Sequence, residues 1–493
     1  MIISMLMAMI TTPLVLKFLD KEEYGLSTIL FQIVSYLSLL DFGLGAAVSR
    51  FLATTRGNDE DAQHNMNKII STAFYIYTAL GVLVLIIGLS FAPMIPRFFD
   101  MKPELHGVAV SIGYTLSIFI ALQFPLKVFS SIFFAHQRLV LSNTMSFIVN
   151  MLNQILPIVF LAFGLGLWSF VMTNIIGTLI SVTVTLILLR KFYPYLRIRI
   201  KLFDRELVRK LFSFGFYMFL NVIAVYLIMF TDRFFIGTLV SLSVVTMYML
   251  TAKIPEICRD LIFRITDNTY PALVEISEKE NRDRFVRVHQ KLLLITTACV
   301  MVAAFMILIL NEWFMELWVG ASFFAGTEIL LLTLGLMILH CILHVSSVCL
   351  NSAGIVKGFT LVSVVEAAFN VGLTFWLGKM YGIQGILWAT IIASALTSLW
   401  YVPRTAVKYM NISMMDYLWK PLLLPLFAVG SFGTLVYMAS SYLMKGMPVT
   451  WINLIAMGTV TGLLFALFIW FAFLKKEIVE FMPDSIKRKL LYL

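Results

Sequence analysis

The chain has 493 residues, 60% of them hydrophobic and 13% charged, with a net charge of +10, and its mean hydropathy is +0.93. A soluble protein of this length needs far more polar surface to cover its core, so a water-soluble globule is excluded. The apolar runs are long and continuous rather than short and alternating, which points to membrane-spanning helices and away from a β-barrel, and the positive balance fits basic cytoplasmic loops better than nucleic-acid binding.

Fourteen apolar segments are predicted to span the membrane, at roughly 2–18, 25–48, 69–96, 108–134, 140–163, 168–189, 211–232, 240–262, 291–312, 324–350, 356–378, 383–403, 418–443 and 449–474. Twelve is the alternative count. The first stretch, MIISMLMAMITTPLVLKF, has neither a basic region before its apolar run nor a small-residue cleavage site, so it reads as a short span and not as a signal peptide. Either that helix is short or the true start lies upstream of Met1.

Loop charge sets the expected orientation. With the N-terminus inside, 28 of the 37 basic residues fall on the cytoplasmic side, eight of them in RKFYPYLRIRIKLFDRELVRK (190–210). Six fall outside, and Lys127, Arg233 and Lys253 lie within or at the ends of spans. Both termini are therefore expected in the cytoplasm. The outer loops are short, and the inner pieces near 190–210 and 264–290 cannot bury a core, so any chemistry belongs within the membrane or at its edges.

An offset of 220 residues relates Leu19 to Leu239, Asn150 to Asn370 and Trp168 to Trp388. A duplication with this spacing predicts two similarly oriented lobes of six helices around a central cavity, residues 1–200 and 201–412, with two extra helices and a basic tail at 413–493.

Ionisable residues inside spans cost about 2.5–3.5 kcal/mol each on insertion scales, so each needs a partner, water or a function. Asp41 interrupts span 2 in SLLDFGLGAAVSRFLA, and Arg50 follows at its inner edge. Asp41 reads equally as a structural contact to a neighbouring helix or as a proton or cation site, and Arg50 as an anchor or a ligand. Lys127, two residues after Pro125, either snorkels or offers its ammonium to a cavity. Asp232 and Arg233 form an interfacial pair or stand at a cavity mouth. Lys253, Glu256, Asp260, Arg264 and Asp267 fall on one helix face, with pairing expected between Lys253 and Glu256 and between Asp260 and Arg264. Lys253 and Glu256 are read as cavity-lining, Arg264 and Asp267 as a solvated extension. Pro255 between them removes a donor and is expected to free a carbonyl near Thr251. Glu366 lies mid-span with Asn370 one turn on, and is read as a coupling or gating residue. His340 and His344 are one turn apart, but no carboxylate partner is evident in the sequence nearby, so a packed pair is preferred to a metal site.

A site that gathers Lys and Arg inside a membrane suits an anion, and phosphate in particular. No Walker loop or HExxH motif is present. The DED at 59–61 has no nucleotide fold around it and reads as solvated charge. Cys258, Cys299, Cys341 and Cys349 form no CxxC pair, which argues against a zinc site or a disulfide framework. No cofactor, metal or catalytic residue is expected.

LVLKFLDKEEYGLSTILFQIVSYLSLLDFGLGAAVSRFLA resembles the first spans of bacterial polysaccharide-biosynthesis flippases, and TDRFFIG followed by AKIPE resembles the matching segment of their second half. NSAGIVKG and YGIQGILWAT also fit. These flippases belong to the multidrug/oligosaccharidyl-lipid/polysaccharide exporter superfamily. The resemblance implies a polytopic all-α protein of the cytoplasmic membrane with twelve or fourteen helices, a basic central cavity and alternating access. It implies transport of undecaprenyl-diphosphate-linked oligosaccharide from the inner to the outer leaflet, with Asp41, Arg50, Asp232, Arg233 and Lys253 at family-like positions. LVSLSV departs from the family's usual turn before span 8.

The expected function is thus a lipid-linked oligosaccharide flippase and not an enzyme. Arg233, Lys253, Arg50 and Lys127 are the candidate substrate contacts; Asp41, Asp232, Glu256 and Glu366 are the candidates for coupling or gating. Membrane lipids, a polysaccharide polymerase and glycosyltransferases are the expected partners, with no nucleic acid. A drug or cation antiporter of the same superfamily is the alternative, although it predicts an acidic cavity; a peptidoglycan-precursor flippase is another. A membrane polymerase or ligase is disfavoured, because no large outer loop is present.

Overall fold

The computed structural model describes residues 2–53, 55, 60–136, 138–279, 281–355 and 357–474. Arg56, Asp59 of the DED run and the basic tail after Leu474 lie outside the described residues. The chain is 87% helical, without strands among the described residues. It divides into two units, Met1–Thr246 with Ala367–Ile386, and Met247–Glu366 with Leu387–Leu493.

The first unit holds α1 (Ile2–Val15), α2 (Lys21–Leu39), α3 (Leu44–Ala53), α4 (Glu60–Phe91), α5 (Ile95–Phe98), α6 (Pro103–Gln123), α7 (Lys127–Ala135), α8 (Leu139–Ala162), α9 (Trp168–Phe192) and α10 (Arg205–Leu239), and runs into α11 (Leu242–Thr251). Helix α4 packs along α6, α1 along α8, and α3 against α7 and α10. The start of α2 explains the DKEEYG stretch. The Asp20 carboxylate accepts from Glu23 N at 2.9 Å, and Glu23 Oε2 accepts from Asp20 N at 2.9 Å, a reciprocal cap. Gly25 lets the chain of α11 approach: a Cβ there would lie 2.1 Å from the Leu242 carbonyl oxygen. Thr246 Oγ1 closes the same contact by donating to Lys21 O at 2.6 Å.

The basic loop before α10 is tied to one side of α4. Asn67 donates to Tyr195 O and accepts from Arg197 N (3.1 and 2.9 Å), Ser71 Oγ accepts from Arg199 N at 3.1 Å and Thr72 Oγ1 from Asp204 N at 3.1 Å. Lys68 Nζ lies 2.6 Å from Asp204 Oδ2. That ammonium, with the Leu207 N–H, holds the Asp204 carboxyl below the usual carboxylate range. A depressed folded value contributes stability above the unfolded value of about 3.9 and loses it as pH falls through the folded one. Amide protection at Arg197, Arg199 and Leu207, corrected for intrinsic exchange rates, is expected to be present at neutral pH and to fall once the pH is taken below the lowered Asp204 value. Equal protection at both pH values would show that the Lys68–Asp204 pair does not hold this loop.

The second unit holds α12 (Lys253–Asp267), α13 (Tyr270–Glu278), α14 (Arg282–Trp318), α15 (Thr327–Ser352), α17 (Ser398–Met410), α18 (Met414–Leu418), α19 (Leu424–Met444) and α20 (Trp451–Ile469), while α16 (Lys357–Leu396) runs through both units. Helix α14 is its axis, packed by α12, α15, α19 and α20. The two C-terminal helices seat on it through Met301, Val429, Val436 and Phe465. Gly433 leaves room for the Phe305 ring; a Cβ would meet it at 2.4 Å. A buried chain of polar groups joins α14, α15 and α18: His289 Nε2 to Ser346 Oγ at 2.9 Å, and Ser346 Oγ to Tyr417 Oη at 2.8 Å.

Ten described helices are long and apolar enough to cross a membrane, or eleven if α2 and α3, bent by 46°, form one span. The longest of these stretches, Gly358–Met410, has 53 residues. That is about 80 Å of helix at 1.5 Å per residue, too long for one crossing. Gly382 breaks it with φ 58 and ψ −138, so it supplies two of the apolar segments. The short helices Leu6–Val15 and Leu242–Thr251 correspond to the first and eighth. Every one of the fourteen apolar segments therefore coincides with helix. The residues related by the 220 offset differ in setting: Asn150 is exposed and Asn370 buried.

Candidate functional site

Two helix breaks in the first unit bring a carboxylate and an ammonium together. The first lies in LSLLDFGLG, between α2 and α3. Phe42 and Gly43 take left-handed φ values of 52 and 69, which ends α2 and restarts the chain as α3. The last carbonyls of a helix have no partner of their own, and its C-terminal end carries partial negative charge. Two of those carbonyls are taken locally, Leu37 O by Leu40 N and Leu39 O by Phe42 N. The Ser38 carbonyl is taken by Lys127 Nζ at 2.9 Å.

Lys127 can reach it because α6 also breaks. Pro125 supplies no N–H, and the chain tightens through Leu126 N to Gln123 O, Lys127 N to Phe124 O and Phe129 N to Leu126 O. Helix α7 begins at Lys127 and lies along α3. The ammonium stands 3.8 Å from Asp41 Oδ2, with side-chain exposures of 29% and 27%. It also lies 4.3 Å from the centre of the Phe124 ring. Asp41 is engaged on its other side, accepting from Gly43 N at 3.0 Å where α3 starts, so each charge sits at the helix end of opposite sign. Neither Tyr77 nor Ser131 was singled out from the sequence, yet both flank the break. Ser131 Oγ donates to Gly45 O at 3.5 Å, and a Cβ on Gly45 would lie 3.6 Å from the buried Tyr77 hydroxyl. Pro125 and the glycines that follow Asp41 are the sequence signals for these two breaks.

The other candidates in this unit are not part of that cluster. Arg50 is exposed in the last turn of α3. Asp232 is buried inside α10, and Arg233 is half-buried with its guanidinium 5.6 Å from the Phe230 ring centre. Beside them, Thr231 meets the Tyr36 hydroxyl at 3.5 Å. Tyr36 and Thr231, with Ser117, are the polar edges of an otherwise apolar cavity of about 570 Å³ between α2, α4, α6 and α10. None of Arg50, Lys127, Arg233 or Lys253 lines it.

In the second unit, Lys253 and Glu256 are half-buried in the first turn of α12. The carbonyl expected to be freed by Pro255 is that of Thr251, and Asn311 Nδ2 from α14 donates to it at 3.3 Å. Thr251 Oγ1 accepts from Ala325 N at 2.9 Å. The charge stripe pairs differently from the spacing rule. Asp260 Oδ1 is held by the neighbouring Arg259, at 2.9 Å from Nη2, instead of by Arg264. Asp267 reaches His344 Nε2 at 2.9 Å, and that imidazole stacks on Phe263 at 3.8 Å. The carboxylate near the histidine pair thus comes from α12 and not from its own helix.

Glu366 is buried and accepts from the hydroxyls of Ser394 and Ser398. These serines are one turn apart, so one carboxylate bridges the end of α16 to the start of α17. Glu366→Ala strands both hydroxyls and is expected to cost about 1–3 kcal/mol, whereas Glu366→Gln keeps an acceptor and is expected to cost less. Thermal unfolding in detergent separates the two; equal losses would show that the acceptor does not matter.

Comparison with known proteins places this architecture. The family model described as polysaccharide biosynthesis protein matches residues 1–277. A Bacillus subtilis (strain 168) protein, "Uncharacterized membrane protein EpsK", is 22% identical over 97% of this chain and 94% of its own. The "Putative O-antigen transporter" of Shigella flexneri is 24% identical over 80% and 93%. Among solved structures, the lipid II flippase MurJ in an inward closed conformation superposes with a TM-score of 0.70 at 14% identity, covering 95% of this chain and 97% of that one. With its match across more than half the sequence and its helices long and apolar enough to span a membrane, the chain is a multi-pass membrane protein that belongs to the polysaccharide biosynthesis protein family.

Proposed function

We propose that this protein moves an undecaprenyl-diphosphate-linked oligosaccharide from the inner to the outer leaflet of the cytoplasmic membrane by alternating access, for cell-surface polysaccharide synthesis. The observation that carries the reading is the lysine held within the spans of a polysaccharide-biosynthesis family member, 3.8 Å from Asp41. A membrane lysine at that distance from its partner keeps donors available, and phosphate is the anion that a lipid carrier brings. In this reading Lys127, Arg50, Arg233 and Lys253 are contacts for the diphosphate or acidic sugars. Asp41, Asp232, Glu256 and Glu366 serve in ion coupling or gating. Both termini face the cytoplasm, where glycosyltransferases deliver the substrate, and a polymerase receives it outside. The protein transports and does not catalyse.

Reconstitution into vesicles tests this. The purified chain is expected to bring the diphosphate-linked oligosaccharide to the opposite leaflet and to leave lipophilic cations where they are. Cation movement without oligosaccharide movement would replace the reading with a drug antiporter. Preference for a peptidoglycan precursor would replace it with a precursor flippase.

A further inference from the structure

At one end of the second unit, α13, the start of α14, the α15–α16 turn and the last turns of α17 enclose a pocket of about 790 Å³. Its level relative to the membrane follows from α14, where RDRFVRVHQK gives way to LLLITTACVMVAAF. The pocket therefore lies where spans leave the hydrocarbon.

Its lining has two characters. Ile276, Phe285 and Ile355 make an apolar floor, and Arg282, Lys408, Ser277 and Tyr409 make a polar rim. The Arg282 guanidinium is steadied by donating through Nη2 to Tyr409 O, which leaves its other N–H groups free to point at a ligand. Ser277 Oγ and Tyr409 Oη stand 2.9 Å apart, and the Tyr409 ring packs edge-on against Phe285 at 5.4 Å. Beside the pocket, Lys279 is paired with Glu275. Arg282 and Lys408 make no ion pair within 4.0 Å among the described residues. Two uncompensated cations and two hydroxyls above an apolar floor, at the membrane boundary, match an amphiphile with an anionic head.

We infer that this pocket binds the phosphate headgroup of an anionic phospholipid of the surrounding bilayer. Arg282 takes the phosphate oxygens with its fork and Lys408 as a point charge, while the first methylenes lie on Ile276, Phe285 and Ile355. The inference stands apart from what the protein transports.

The test titrates the purified full chain with phosphatidylglycerol or phosphatidylcholine and reads bound lipid by native mass spectrometry. The wild type is expected to prefer phosphatidylglycerol, and the Arg282→Gln/Lys408→Gln variant to bind it about thirtyfold more weakly, at about a factor of five per contact. Lys379→Gln, an exposed charge lost elsewhere, is expected to bind as wild type. Should the double variant misfold, Lys408→Gln alone, on an exposed side chain, is expected to show a loss of about fivefold. Unchanged binding by both Lys408→Gln and the double variant, or no preference between the two lipids, would overturn the assignment. So would polyprenyl diphosphate displacing the phospholipid at concentrations below those at which the phospholipid binds, because the pocket would then belong to the transported lipid.

Discussion

Lys127→Ala is expected to slow lipid translocation by about tenfold or more and to destabilise the protein by about 1–3 kcal/mol. The variant removes the donor to the Ser38 carbonyl, which closes the end of α2, and strips Asp41 of the cation 3.8 Å away. The carboxylate would then sit half-buried with its Gly43 N–H as a remaining partner. Asp41→Asn alone should be milder, because the amide oxygen still accepts from that N–H. Since the two charges share one interaction, the double variant should lose less stability than the sum of the singles. Thermal unfolding of all four proteins measures the coupling. Additive losses would show that the pair, although close, does not act as a unit.

Gly43→Ala is expected to cost more than a change of one methyl suggests, about 3 kcal/mol in all. The residue has φ +69, which costs an L residue about 1–2 kcal/mol, and its Cβ would lie 2.4 Å from the Gly215 carbonyl oxygen of α10. Backbone on both sides must then move, at about 1–3 kcal/mol for an overpacked contact. Movement is resisted by Phe42, whose ring packs on Phe219 at 4.8 Å and on Phe212 at 6.4 Å. Gly164→Ala serves as the control, with φ +81 and nothing within 4 Å of the added atom. It carries the conformational cost without the collision. Equal destabilisation of the two variants would mean that the approach of α3 to α10 is not what requires Gly43.

Helix positions were legible in the sequence because the bilayer demands long apolar runs, and hydropathy reports these directly. The breaks were half-legible. Pro125, Pro255 and the Gly43–Gly45 pair mark where backbone bonds fail, and the prediction of a freed Thr251 carbonyl matches its bond from Asn311. What fills each break was not legible, because the filler comes from far along the chain. Lys127 and Ser38 are 89 residues apart, and periodicity within one helix carries no information about which neighbour it meets. The same limit explains Glu366, whose serine partners lie 28 and 32 residues away, and Asp267, whose histidine lies 77 residues away. Spacing within a helix also failed at Asp260. An i,i+4 arginine was available, but the adjacent Arg259 could fold its long side chain back and reach the carboxylate with two N–H groups.

The central claim is that cationic side chains in the spans carry a phosphate through the membrane. It is tested most directly by the initial rate at which vesicles containing Arg50→Gln, Lys127→Gln, Arg233→Gln or Lys253→Gln bring polyprenyl-diphosphate-linked oligosaccharide to the far leaflet. Loss of one phosphate contact is worth about 1 kcal/mol, so a rate about fivefold below wild type is expected for each variant. Wild-type rates in all four would contradict the account.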